Sequence, residues 1–228
     1  MQKQASHTGL FFALLILGCW AVSITFLMQW QVNYVNPLLY LFILIQMHLY
    51  TGLFITAHDA MHGTVSPNKM LNNTIGYICT FLYAAFWFPY LNKQHHKHHR
   101  HVHTDDDPDY HHGSFIKWYF SFMRNYLSIW QIIIMAAAFN ILKIWIPQEN
   151  LLLFWVAPSL LSTLQLFYFG TYLPHKGEHD NIHQSRSLPR NHVLAFFSCY
   201  FFGYHYEHHD SPGTPWWKLW QNPSPPAP

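Results

Sequence analysis

The chain has 228 residues, of which 51% are hydrophobic, 19% aromatic and only 10% charged. A soluble domain carries about 25% charged residues, so most of this chain is built to sit outside water. Its net charge of +2, with no continuous basic patch, excludes a nucleic-acid partner.

After Lys3 no charged residue occurs until Asp59. Two apolar runs fill that interval, residues 9–30 and 37–57, separated by the uncharged turn 31–36. Each reaches the roughly 20 residues that a membrane-crossing helix needs. Leu17-Gly18-Cys19 faintly resembles a lipoprotein cleavage site, but the run continues to Met28, too long for an export signal core. A further run, 75–91, is rich in aromatics that suit the headgroup region (Tyr77, Phe81, Tyr83, Phe86, Trp87, Phe88, Tyr90). If it crossed the membrane, histidines before and after it would face opposite sides, so a shared site requires it to dip and return or to lie along the interface. Two more spans follow at 126–145 and 151–173, joined by 146–150, and 193–204 is too short to cross. The proline-rich tail 222–228 reads as disordered.

Orientation follows the basic residues. Lys69, Lys93, Lys97, Arg100, Lys117, Arg124, Lys176, Arg186, Arg190 and Lys218 all fall outside the two tight hairpin turns. The expected fold is an all-α integral membrane protein: four transmembrane helices in two hairpins, interfacial or re-entrant helices, and a cytoplasmic histidine-rich cap. Residues 1–221 form one domain, with both termini on the cytoplasmic side.

Cys19, Cys79 and Cys199 lie in apolar stretches without a CxxC, so they read as buried side chains and leave metal chemistry to the 19 histidines. His58 and His62 are four apart and share a helix face. The string His95-His96-Lys97-His98-His99 puts His95 and His99 on one face with His98 one residue round, and His205-Tyr206-Glu207-His208-His209 repeats the pattern. Leu173-Pro174-His175 ends the fourth span with one more imidazole. His7 and His48 read instead as hydrogen-bonded interfacial residues. A zinc site closes with about four ligands, whereas these clusters supply eight histidines, and nine with His175. That number suits two ions with open positions, and an ion that activates dioxygen points to iron. His58-Asp59-x-x-His62 also resembles the zinc-peptidase pattern H-E-x-x-H, which makes a membrane metalloprotease a distant alternative. That reading leaves the other histidine strings without a role.

With these strings in place the chain resembles the membrane fatty-acid desaturase and hydroxylase superfamily, known for three histidine boxes. Within it, the closer match is to the beta-carotene ketolases. The resemblance is carried by His58-Asp-Ala-Met-His-Gly63, His95-His-Lys-His-His-Arg-His101, Asp106-Asp-Pro-Asp-Tyr-His111, Phe169-Gly-Thr-Tyr-Leu-Pro-His175 and Gly203-Tyr-His-Tyr-Glu-His-His209, then Pro215-Trp-Trp217. It covers about Gly52 to Trp217.

The resemblance implies a di-iron oxygenase that oxidises C4 of a beta-ionone ring, taking beta-carotene through echinenone to canthaxanthin by two hydroxylations and a dehydration. It implies iron ligands at His58, His62, His95, His98, His99, His175, His205, His208 and His209. His96, His101 and His103 are left as supporting groups or alternative ligands, and His179 and His183 as alternatives to His175. Asp59, Asp107, Asp109 and Glu207 are candidates to orient ligating imidazoles, since such histidines donate their second N–H to an acceptor. Dioxygen is the co-substrate, and because no nucleotide-binding glycine fingerprint is present, electrons come from an external donor such as ferredoxin. Phe86, Trp87, Phe88, Tyr119, Phe120, Phe167 and Tyr168 are candidates to line a polyene tunnel. A carotenoid ring hydroxylase or a lipid desaturase would share the same iron site.

Overall fold

A computed structural model describes residues 8–189 and 191–223; Lys3, His7, Arg190 and the tail from Ser224 lie outside the described residues. Helix α1 (Thr8–Leu27) runs into a short turn, and α2 (Pro37–Met61) starts where Asn36 accepts a hydrogen bond from Leu38 N at 3.0 Å, with Pro37 in the first turn. Proline fits there because that N–H has no helical partner. The long helix α7 (Gln148–His175) returns against both. Its Asn150 donates to the carbonyls of Leu27 and Trp30, each at 2.7 Å, and so closes the end of α1.

Between these helices the ties are polar and internal, as apolar surroundings demand. Ser23 Oγ donates to Gln46 Oε1 at 2.7 Å across α1 and α2. Thr51 Oγ1 donates to Gln165 Oε1 at 2.5 Å and stands 2.9 Å from Ser162 Oγ across α2 and α7. The outward faces are apolar, with Val22 at 73% and Trp130 at 71% exposure, the pattern of a lipid-facing surface.

The run 75–91 is broken. Helix α3 (Lys69–Ala84) ends at Ala85, whose φ of 54° is left-handed, and α4 (Phe88–Arg100) leaves at 98° to it. Gln131 Nε2 donates to Ala84 O at 2.7 Å, satisfying a carbonyl at the break. The expected span 126–145 is also shorter than its hydropathy suggests. Helix α5 (Phe115–Tyr126) ends before Ser128, whose hydroxyl accepts from Gln131 N at 3.2 Å and starts α6 (Ile129–Leu142) at 85° to α5. At 1.5 Å per residue a 14-residue helix covers only about 21 Å, less than the roughly 30 Å hydrocarbon core.

Two short helices, α8 (His192–Cys199) and α9 (His205–Asp210), and a 3-10 turn, Trp216–Gln221, complete a structure with no strand among the described residues. Three helices (α1, α2 and α7) are long and apolar enough to cross a membrane, or up to five segments if each bent pair counts as one. The main core packs α1, α2 and α3 around Tyr50, Leu53 and Cys79.

Candidate metal centre

Four elements deliver histidines to one place. Helix α2 ends with His58 and His62, α4 carries His95, His98 and His99, α7 ends at His175, and α9 presents His205, His208 and His209. All nine expected ligands meet. Coordinating atoms of His58, His62, His95 and His208 lie within 4.8 Å of one another, and so do those of His98, His175, His205 and His209.

The contacts are between Nε2 atoms. In the first set His62 meets His95 at 2.6 Å and His58 meets His208 at 3.2 Å. His99 Nε2 joins this set, 3.1 Å from His95 and 3.0 Å from His208, while its ring stacks on His209 at 4.2 Å. In the second set His98 meets His209 at 3.1 Å, His209 meets His205 at 3.0 Å, and His205 meets His175 at 2.8 Å.

These spacings fit metal ions. Imidazole nitrogens bind a first-row ion at about 2.1 Å, so neighbours at right angles stand about 3 Å apart. Hydrogen bonds alone do not account for the second set. His98 Nδ1–H donates to Asp107 Oδ1 at 2.8 Å, and His175 Nδ1–H donates to the Gln184 carbonyl at 2.8 Å. With the proton on Nδ1, Nε2 of both rings faces into the site, an arrangement that a bound cation stabilises. Burial first, and then neighbouring imidazoles, hold His205, His208 and His209 well below the usual histidine range. Neutral imidazole is the form that binds a metal.

The four candidate carboxylates differ in placement. Asp107 is buried and accepts three bonds: from His98 Nδ1, from Asp109 N at 2.9 Å, and through Oδ2 from His103 N at 3.0 Å. Asp109 lies beside this pair and accepts from the Tyr126 hydroxyl. Burial pushes its carboxyl up to about 6, opposed by the His98 ring and reinforced by the Asp107 charge. Asp59 Oδ1 stands 3.8 Å from His58 Nδ1, beyond hydrogen-bond range. Its Oδ2 accepts from Trp216 N at 3.2 Å, so it anchors the Pro-Trp-Trp segment to α2. Glu207 accepts from the Ser187 hydroxyl.

Among the remaining histidines, His103 Nε2–H donates to the His175 carbonyl at 2.7 Å, with its own backbone at a φ of 61°. It therefore supports the second set from outside. His96 is exposed and bonded to Asn92 O at 2.9 Å. His179 and His183 belong to neither set; His183 faces Asp210 at 3.6 Å. His48 departs from its expected hydrogen-bonded role. Its ring stacks on Tyr200 at 4.3 Å, and neither nitrogen has a hydrogen-bond partner among the described residues.

An apolar cavity leads to the centre, walled by Phe54, Phe86, Leu91, Phe122, Leu166 and Phe202, and it reaches His58, His95, His98 and His205. Of the seven aromatics expected to line a tunnel, only Phe86 does so. Trp87 and Phe120 point outward, each 66% exposed, and Phe88 is buried in the core. Periodicity cannot tell an aromatic facing lipid from one facing a cavity. Tyr126 and the Gln184 carbonyl were invisible to sequence reasoning for a related reason, since neither residue type marks a site by itself.

Among the described residues, long apolar helices and two histidine sets that could each hold a metal ion are the pattern of a membrane protein able to bind metal. The fatty acid desaturase family matches residues 35–148 and 115–221. A beta-carotene ketolase of Paracoccus sp. (strain PC1) is 39% identical over 216 residues, 90% of this chain and 87% of the relative. A beta-carotene ketolase of Haematococcus lacustris is 42% identical over 184 residues, 75% of this chain, and this chain spans only 58% of that relative's length. A zeaxanthin 4-ketolase of Chlamydomonas reinhardtii is 40% identical over 181 residues, 75% of this chain and 41% of the relative. No solved structure matches. The chain belongs to the fatty acid desaturase family and, within it, to the family of the beta-carotene ketolases.

Proposed function

We propose that this chain oxidises the C4 methylene of beta-ionone rings to a ketone, taking beta-carotene through echinenone to canthaxanthin. The observation that carries the reading is the apolar cavity that ends on both histidine sets, in a chain 39% identical to a beta-carotene ketolase over nearly its whole length. The proposed iron ligands are His58, His62, His95, His99 and His208 for one ion and His98, His175, His205 and His209 for the other. Iron bound there supplies the activation of dioxygen and the removal of hydrogen from C4.

The chain supplies placement and protection. The phenyl and leucyl walls hold the ring against the histidines and exclude water. Asp107 and the Gln184 carbonyl keep the protons of His98 and His175 on Nδ1, which fixes both rings with Nε2 facing inward. Each round consumes one dioxygen, two electrons and two protons and releases one water. The first leaves a hydroxyl on C4; the second leaves a gem-diol, which loses water to give the ketone. The electrons come from a separate one-electron donor of the ferredoxin type.

The reading also sets topology. Histidines from the ends of α2 and α7 meet in one centre, which supports a shared side for those ends, and the distribution of basic residues favours the cytoplasm for it. The stretch from His62 to His95 then leaves and returns on that side, for which the 98° bend at Ala85 provides the turn. Four crossings in two hairpins, within one domain over residues 1–221, satisfy these conditions if α5 and α6 together complete the third.

Expression in beta-carotene-producing bacteria, followed by pigment analysis, tests the reading. Keto-carotenoids support it. Hydroxylated rings alone would favour a ring hydroxylase, and altered lipid unsaturation a desaturase. Purified protein holding zinc and no iron would overturn the oxygenase reading and reopen the metalloprotease.

A further inference from the structure

The cavity that reaches the histidines is apolar except at a few points, and one of them has no assigned partner. Asp109 Oδ1 accepts from the Tyr126 hydroxyl, and both residues line the cavity. Asp109 Oδ2 has no hydrogen bond among the described residues, and the side chain sits beside His98. The backbone is pinned: Asp109 N donates to Asp107 Oδ1 at 2.9 Å, and Trp118 Nε1 donates to Asp109 O at 2.5 Å. Tyr83 and Thr163 also lie on the wall, but their hydroxyls bond each other at 2.8 Å. A fixed acceptor with one spare oxygen therefore faces an apolar chamber next to the reacting centre.

An unsubstituted beta-ionone ring has nothing to offer that oxygen. Its C4-hydroxylated form does. A hydroxyl left without a partner in an apolar cavity is costly, and a second oxidation at the same carbon requires the half-oxidised ring to stay or to return in the same pose. We propose that Asp109, positioned by Tyr126, accepts a hydrogen bond from the C4 hydroxyl of the once-oxidised ring and holds it for the second oxidation. This rests on the carotenoid-ring reading above and names the residues that commit the site to a ketone. Asp109 is the group that touches substrate; Tyr126 is a positioning residue that fixes which carboxylate oxygen is free.

Two readouts test it. In beta-carotene-producing cells, Tyr126→Phe and Asp109→Ala should each raise the ratio of 4-hydroxy to 4-keto products by about tenfold, the size of a lost hydrogen bond to a charged group. A purely structural lesion would lower both products together and leave their ratio unchanged. In the second readout, the purified full chain in detergent is titrated anaerobically and without electron donor, with 4-hydroxy-beta-carotene or beta-carotene, following quenching of tryptophan fluorescence. The unsubstituted protein should bind the hydroxylated compound about tenfold more tightly, and Tyr126→Phe should erase the preference. No preference in the unsubstituted protein overturns the inference, whether or not the variants fold. An unsubstituted chain that makes ketone, with variants that keep its product ratio, overturns this inference alone. A chain that oxidises no carotenoid at all overturns the functional reading and this inference with it.

Discussion

Replacing Asp107 by Asn changes one heavy atom of a carboxylate that accepts three hydrogen bonds. Asp107 Oδ1 receives His98 Nδ1–H at 2.8 Å and Asp109 N–H at 2.9 Å, and Oδ2 receives His103 N–H at 3.0 Å. If the Asn carbonyl keeps the His98 side, the new NH₂ opposes the His103 N–H. If the amide flips, its NH₂ faces His98 Nδ1, which must then accept and carry its proton on Nε2, the atom aimed at the metal. Either way the site loses a charge-assisted bond in a buried position, and such bonds are worth about 1.5–3 kcal/mol. Loss of an acceptor behind a metal-bound histidine costs about 10–100-fold in metal affinity, or about 1.4–2.8 kcal/mol. The effect should fall on one ion, because Asp107 touches no member of the His58, His62, His95 and His208 set. Iron per chain, measured against graded competing chelator, should fall from two toward one, with thermal unfolding recorded to exclude global loss of structure. Two irons held as in the unsubstituted protein would refute the role of Asp107, and equal loss of both would refute the division into two sets.

Other consequences are simpler to check. His208→Ala removes a nitrogen 3.2 Å from His58 and 3.0 Å from His99, so turnover should vanish and iron content fall by about one ion; full activity would remove the third histidine string from the centre. His183→Ala should leave iron content unchanged, since His183 belongs to neither set, and iron loss would reinstate it as an alternative to His175. Gly9→Leu should lower the unfolding midpoint in detergent. A Cβ at Gly9 would stand 2.5 Å from Thr64 O and 2.6 Å from Val65 O, both backbone atoms, and overpacking of this kind costs about 1–3 kcal/mol.

The histidine centre was legible because helical spacing is local physics: residues three and four apart meet on one face whatever the surroundings. His58 with His62 and His205 with His209 needed nothing else. How the α4 histidines divide was not legible. His95 and His99 turn to α2 and His98 to α7, and that depends on α4 lying between them, set by the bend at Ala85. An alanine with positive φ leaves no mark in a hydropathy profile, so the apolar run 75–91 looked continuous. Likewise Ser128 inside 126–145 reads as one polar residue in a span until its hydroxyl is seen starting a new helix. His175 is legible from its place at the end of the fourth apolar run, and the structure places its Nε2 2.8 Å from His205.

The two sets are not equally supported, and the difference has a kinetic consequence. In the second set His98 and His175 each donate Nδ1–H to a fixed acceptor, and His103 ties the His175 carbonyl from behind. In the first set no Nδ1 donates to a protein acceptor among the described residues; His58 Nδ1 has none, with Asp59 at 3.8 Å. His62 also lines an open cleft between the 62–67 loop and the 213–222 segment, which gives water a route to that side. Rings without an outer partner reorient more readily, and outer partners govern how firmly an ion is held. The ion of the first set should therefore leave first. Mixing the iron-loaded protein with excess chelator should release iron in two phases of equal amplitude. Asp107→Asn should accelerate only the slow phase, and His208→Ala should delete the fast one. Release in a single phase, or a fast phase that responds to Asp107, would refute the asymmetry.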